Sequence, residues 1–231
     1  MQINAAAAWI NSTFAEFDLA VTLFINRLAQ AAGGFFTPFM EFVSFLCKDG
    51  IPLIILAAAL MLFRRTRRFG TAMLAGIAIG ALFTNCCLKL LIARPRPYAD
   101  ETGIFHQLWL TVGQNTESDK SFPSGHTTAA FAAMTGLFLT SRKKQVSWTL
   151  FIFSFLVAIS RIYLVVHYPT DVIAGMLVGI LGGILGYLLM CKIPSAFYRS
   201  RKPYALNGGK PDTRQSHRDP SRKEKGGKHC R

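Results

Sequence analysis

Apolar residues along this chain gather in long stretches separated by short polar ones. Residues 70–92, 123–140, 146–166 and 170–191 are each close to the length that crosses about 30 Å of hydrocarbon. Ile51 to Phe63 is shorter, but it extends back through 35–47 if Lys48, Asp49 and Gly50 lie near the interface. The pattern predicts five helical spans. The N-terminal segment reads differently: Phe14, Phe17, Leu19, Val21, Leu23, Phe24 and Leu28 are broken by Glu16, Asp18, Asn26 and Arg27. Such a mixed helix suits the interface better than the hydrocarbon, with a short sixth span as the alternative. No apolar run near the start is framed as a signal peptide would be. The expected architecture is all-α, a polytopic membrane bundle of five to six transmembrane helices. Residues 1–35 form an interfacial or short spanning helix, 36–195 the core, and 196–231 a basic, disordered tail.

Composition supports a membrane chain. Hydrophobic residues make up 51% and charged residues only 16%, against about 25% in soluble domains. Charge then orients the spans. Arg64, Arg65, Arg67 and Arg68 fill one short loop, Arg142, Lys143 and Lys144 another, and the polar tail is rich in Lys and Arg. Short basic loops stay in the cytoplasm, and two crossings separate each of these three from the next. The longer loop over 94–122, with Asp100, Glu101, Glu117 and Asp119, is therefore expected outside. The net charge of +14 does not demand nucleic acid, because basic inner loops and tail are explained by anionic headgroups. The bilayer is the expected partner. The five cysteines form no framework, so no structural disulfide is expected.

Ionisable groups at the ends of spans are costly and therefore informative. They fall in three clusters: Lys89 with Arg94-Pro95-Arg96-Pro97; Ser121-Phe122-Pro123-Ser124-Gly125-His126; and Ser160-Arg161 followed by His167-Tyr168-Pro169-Thr170-Asp171. Alternation of the spans puts all three on one membrane face, which the basic loops make the outer one. Lys89, Arg96 and Arg161 supply cations suited to phosphate oxygens, with Arg94 as a fourth candidate. Pro123 suits a first helical position, which would leave the amides of Ser124, Gly125 and His126 directed at an anion. The Ser124 hydroxyl adds a donor. Asp171, four residues after His167, can reach back to one ring nitrogen and leave the other as nucleophile. His126 is then available to protonate the leaving oxygen and later to activate water.

These residues resemble the signature of the type-2 phosphatidic acid phosphatase family. Lys89 and Arg96-Pro97 are separated by six residues, Pro123-Ser124-Gly125-His126 follows, and Ser160-Arg161, His167 and Asp171 complete it in order and spacing. The match runs from about residue 50 to residue 191. The resemblance implies a helical-bundle core, a phosphohistidine on His167, His126 as acid and base, and Lys89, Arg96, Ser124, Gly125 and Arg161 as holders of the phosphate. No cofactor and no metal are implied, and the partner is a lipid phosphate rather than nucleic acid. Nothing in the sequence fixes the oligomeric state.

Each residue alone has an ordinary reading. Lys89 and Arg161 serve as snorkelling anchors, Arg94 only as an anchor, Asp171 and Ser124 as helix caps, and either histidine as an interface residue. His106 and Trp109 are read as interfacial, His217 and His229 as tail residues, and Gly175, Gly179, Gly182, Gly183 and Gly186 as close-packing positions. Co-location favours the site. A serine hydrolase built on Ser124 needs no such set of cations, and the Gly-x-Ser-x-Gly elbow is absent. One carboxylate among several cations disfavours a divalent metal. A transporter or non-catalytic lipid binder is the reading from another class, but transporters hold charges near the midplane. Among substrates, undecaprenyl pyrophosphate is favoured by the outward face, the several cations and the compact core, which resembles the family's bacterial carrier-recycling members. Phosphatidic acid and phosphatidylglycerol phosphate are the alternatives. Phe105, Leu108, Trp109 and Leu110 are expected to form a lip over the site.

Overall fold

The computed structural model describes residues 4–198, without the side chains of residues 145, 146, 195 and 196. The tail expected over 196–231, with His217, His229 and Cys230, falls almost wholly outside them. Among the described residues every regular element is helical. The α-helices are α1 (Ala5–Thr13), α2 (Ala15–Ala31), α3 (Thr37–Phe45), α4 (Ile51–Leu62), α5 (Arg67–Ala81), α6 (Lys89–Ile92), α7 (Ile104–Leu110), α8 (Gly125–Thr140), α9 (Lys144–Ser147), α10 (Thr149–Tyr163), α11 (Pro169–Lys192) and α12 (Ser195–Tyr198).

Three stretches among the described residues are long and apolar enough to cross a membrane: Thr37–Leu62, Arg67–Ala99 and Pro169–Lys192. The first joins α3 to α4 through a one-turn kink at Lys48–Gly50, where Asp49 and Gly50 take positive φ of 54° and 70°. The stretch 35–63 is thus two helices joined at a kink, in line with an interrupted run. The second continues from α5 into α6 through a π-helical stretch, Leu82–Leu88. α8 and α10, with 16 and 15 residues, occupy two further expected spans and fall short of the roughly 20 residues of a full crossing.

At the centre α5, α8 and α11 pack on one another, with α4 against α5 and α10 against α8 and α3. Small residues set the distance. A Cβ added at Gly186 would lie 2.3 Å from the Gly76 nitrogen, and one at Gly183 would lie 2.5 Å from the Thr135 Cβ. Backbones this close are what small residues allow where lipid offers no hydrophobic drive between helices. The outer surface is apolar: Ile55 is 64% exposed and Leu181 60%. So much exposed apolar side chain marks a surface made for lipid.

α2 is turned the other way round from a soluble amphipathic helix. Its buried residues are Asp18, Thr22, Asn26 and Ala29, one stripe at helical spacing, while Phe17, Phe24 and Leu28 are exposed. The polar residues that break the apolar run thus face protein rather than water. Cys47, Cys86 and Cys87 are free, but Cys191 is disulfide-bonded, which corrects the expectation of no disulfide; spacing alone does not reveal which thiols meet.

Candidate active site

Five chain segments converge on one end of the central helices. The start of α4, the π-helical stretch with α6, the 94–120 segment, the start of α8 and the connection before α11 border a cavity of about 700 Å³. Lys89, Arg96, Gly125, His126 and His167 line it, together with Glu117 and Asp119, and Ile54, Ile77 and Ala81 give it an apolar side. The three sequence clusters therefore do meet. Arg161, Ser124 and Asp171 lie behind this lining.

His167 sits between α10 and α11, 2% exposed. Arg96 Nη1 lies 2.9 Å from its Nε2 and donates to the Val166 carbonyl at 2.8 Å. The same Nη1 lies 3.5 Å from Nδ1; a guanidinium only donates, so the nearer Nε2 is assigned as the acceptor and the ring proton to Nδ1. Burial, then Arg96, Arg161 and Lys89, push this histidine well below its usual pKa, which keeps a lone pair on the ring at neutral pH. Asp171 Oδ2 lies 3.6 Å from Nδ1, in ion-pair range but beyond hydrogen-bond length. The expected reach of Asp171 to His167 is thus a near contact. Its carboxylate also caps α11, accepting from the Tyr168 amide at 3.1 Å, and it accepts from Ser121 Oγ as well. The geometry fits the ordinary reading of Asp171 as a cap and leaves its carboxylate near His167.

The start of α8 differs from expectation. Helix begins at Gly125, with Ser124 as N-cap, so Pro123 precedes the helix instead of opening it. The Ser124 amide is not free, because it donates to the Asp171 carbonyl at 3.0 Å. Its hydroxyl oxygen accepts from Thr127 Oγ1 at 3.0 Å, and the residue is fully buried. The cap reading of Ser124 accounts for its geometry, and Gly125 and His126 line the cavity in its place. Lys89 Nζ lies 3.6 Å from where a Cβ on Gly125 would stand, which sets its ammonium over the positive end of α8.

Arg94 borders the cavity and takes the anchoring role of its two readings. It is 1% exposed and donates to Asp18 Oδ2 at 2.8 Å and Asp171 Oδ1 at 2.6 Å. Both carboxylates engage its charge, which favours the anchor over the fourth cation. Arg161, 2% exposed, bonds Ser44 and Glu117, and its buried Nε has no partner among the described residues. Lys89 and Arg96 both pair with Asp119. Burial alone would raise the Asp119 carboxyl, but Lys89 and Arg96 hold it below the usual carboxylate range. Two acids from the loop thus stand against the three candidate cations. Sequence reasoning noted these acids only as a balance of charge, and it had no signal for Ser44 or Asp18.

The four residues expected to form a lip do not border the cavity. Phe105, Leu108 and Trp109 rest on Tyr163, Leu164, Val165 and Val166, and only Leu110 of the four is exposed. His106 Nδ1 lies 2.7 Å from the Tyr98 carbonyl, and Trp109 stacks on Tyr98 with centroids 5.0 Å apart. Among the described residues no group of three or more His, Cys, Asp or Glu side chains is placed to hold a metal ion.

Comparison with known proteins agrees with this geometry. The undecaprenyl-diphosphatase BcrC of Bacillus subtilis is 35% identical over 150 residues, 64% of this chain and 70% of that protein. The lipid A 4'-phosphatase of Bacteroides thetaiotaomicron is 27% identical over 185 residues, 77% of this chain and 79% of that one. The crystal structure of a transmembrane PAP2-type phosphatidylglycerolphosphate phosphatase from Bacillus subtilis superposes with a TM-score of 0.62 at 28% identity, covering 82% of this chain and 92% of that chain. With residues 69–194 matching the family directly, the chain belongs to the PAP2 superfamily.

Proposed function

We propose that the protein is a membrane lipid-phosphate phosphatase that works through a phosphohistidine on His167, with undecaprenyl pyrophosphate as its substrate. The observation that carries the mechanism is the 2.9 Å contact between Arg96 Nη1 and His167 Nε2, made inside the cavity that Lys89, Gly125 and His126 line. The lone pair that Arg96 engages here is the one that attacks phosphorus once the guanidinium turns to the phosphate oxygens it suits.

In the first step the His167 Nε2–phosphorus bond forms as the bond from phosphorus to the bridging oxygen breaks. His126 protonates that departing oxygen, which leaves on the lipid. The imidazolium so created is supported by Asp171 from the Nδ1 side. In the second step His126 takes a proton from water, the water oxygen attacks phosphorus, and inorganic phosphate departs as the nitrogen–phosphorus bond breaks. Lys89, Arg96, Arg161 and the amides at Gly125 and His126 neutralise the equatorial oxygens, which is the main requirement of phosphoryl transfer. Ser124 holds this amide cradle as cap of α8. The unmatched Arg161 Nε supports a place for anionic oxygen, since a buried donor without a partner costs about 1–3 kcal/mol. This set takes the place of a metal.

For the substrate, the named relatives lead: BcrC is an undecaprenyl-diphosphatase. One relative solved by crystallography is a phosphatidylglycerolphosphate phosphatase, which keeps that lipid as the second reading. Purified protein in one detergent is expected to give its highest kcat/KM on undecaprenyl pyrophosphate, above phosphatidic acid and phosphatidylglycerol phosphate, and to keep that rate in excess chelator. A preference for either glycerolipid would overturn the substrate, and a loss restored by magnesium would overturn the metal-free mechanism.

The same reading puts the site at the extracytoplasmic face of the cell membrane, with five crossings, α1 and α2 at the interface, and the tail inside. In a cysteine-free background, a cysteine replacing Gln114 is expected to react with an impermeant reagent in whole cells, and one replacing Gln145 is expected not to. The reverse pattern would move the site to the cytoplasm.

A further inference from the structure

The buried ion-pair chain behind His167 begins outside residues 69–194, the segment that matches the family. Asp18, on the inward stripe of α2, commits both carboxylate oxygens. Oδ1 accepts from the Thr170 amide at 2.9 Å. Oδ2 accepts from Arg94 Nη2 and from Thr170 Oγ1, each at 2.8 Å. Arg94 in turn donates through Nη1 to Asp171 Oδ1 at 2.6 Å and through Nε to Asn11 Oδ1 at 2.7 Å. Its guanidinium lies over the Tyr168 ring, 3.8 Å from the centroid. The side chains of Asp18, Arg94 and Asp171 are 2%, 1% and 0% exposed.

The charges of this chain do not cancel. One guanidinium between two carboxylates leaves a net negative charge, out of water, where an unmatched charge is costly. A pair would suffice to pin α2 to the start of α11, and the second carboxylate adds to the cost unless a positive charge stands opposite. The group opposite is the His167 ring, neutral at rest and positive only once phosphorylated, whose Nδ1 is 3.6 Å from Asp171 Oδ2. Its other charged and titratable neighbours are Arg96, Arg161, Lys89 and Asp119, and His126.

We propose that Asp18 is a positioning residue for the nucleophile: by sharing the Arg94 guanidinium, it leaves Asp171 an uncompensated negative charge facing His167. The inference rests on the phosphohistidine reading. With Asp18 neutral, Arg94 cancels Asp171, and the imidazolium formed when His167 is phosphorylated loses its counter-charge. With Arg94 neutral instead, Asp171 faces the ring with no cation offsetting it, and Asp18 adds its charge from behind Thr170. The two changes act on His167 with opposite sign, which no purely structural role reproduces.

The test uses the full-length protein in detergent and the lipid phosphate that it hydrolyses fastest. Asp18→Asn is expected to lower kcat about tenfold with KM within about twofold, and to move the acid limb of the kcat/KM profile down by about one pH unit. Arg94→Gln is expected to move that limb up. The double variant is expected to return it toward wild type, a coupling that independent structural damage does not give. Asp18→Glu, which keeps the charge, is expected to hold the wild-type limb whatever its kcat. If Asp18→Asn does not fold, the upward shift in Arg94→Gln and the unmoved limb in Asp18→Glu decide the matter. Profiles unmoved in Asp18→Asn and Arg94→Gln, or moved in the same direction, overturn the inference while leaving an active phosphatase. A wild type inactive on every lipid phosphate removes the phosphatase reading itself.

Discussion

His167→Asn is expected to lower kcat by about 10⁴-fold or more, the scale on which loss of a nucleophile acts in enzymes that form covalent intermediates. The asparagine amide is near the imidazole in size but has no nitrogen lone pair to attack phosphorus. The cradle made by Lys89, Arg96 and Gly125 stays, so vanadate is expected to bind within a few-fold of wild type. Acid quenching of wild type with labelled substrate is expected to trap an acid-labile phosphoenzyme that the variant lacks. A variant that turns over at the wild-type rate would remove the covalent mechanism and leave only the anion site.

Gly186→Val is expected to have the largest effect on stability. The new Cβ alone would meet the Gly76 nitrogen at 2.3 Å, its Cα at 2.6 Å and the Ala72 oxygen at 2.9 Å. These are backbone atoms of α5, so no flexible side chain swings aside. Overpacking of this kind costs about 1–3 kcal/mol and sometimes more. Relief requires α5 to move away from α11, which also breaks the approach of Gly182 to Gly76 and Gly80. The expected result is loss of the monodisperse peak on size exclusion after mild heating, with Gly186→Ala intermediate. A fully stable valine variant would mean that α5 and α11 do not meet there.

The sequence carried much of the site because charge stands out inside apolar runs. Lys89, Arg96, Arg161 and His167 interrupt or end such runs, and alternation of the spans brings them to one side without knowledge of packing. The choice between Arg94 and Arg96 was hidden. Both flank Pro95, and carboxylates 76 and 77 residues away, Asp18 and Asp171, give Arg94 its structural role. Asp18 itself was misplaced for a physical reason. A polar residue breaking an apolar run reads as facing water, whereas in α2 the polar stripe faces protein and the phenylalanines face outward. The start of α8 shifted because capping by Ser124 and its amide's bond to Asp171 outrank the preference of Pro123 for a first turn.

The pairing of Asp119 with Lys89 and Arg96, and of Glu117 with Arg161, bears on what the unliganded protein meets in its surroundings. A strongly cationic hollow would collect whatever small anion was abundant, including the phosphate that the reaction releases. Carboxylates tethered on the same chain compete at an effective concentration of about millimolar order. Dilute sulfate or phosphate in the medium therefore gains little by entering. A lipid headgroup has the advantage that its tail confines it to the plane of the bilayer, so its local concentration exceeds that of any free ion. The loop thus acts as a threshold, set against ions in solution and in favour of phosphates that arrive on a lipid.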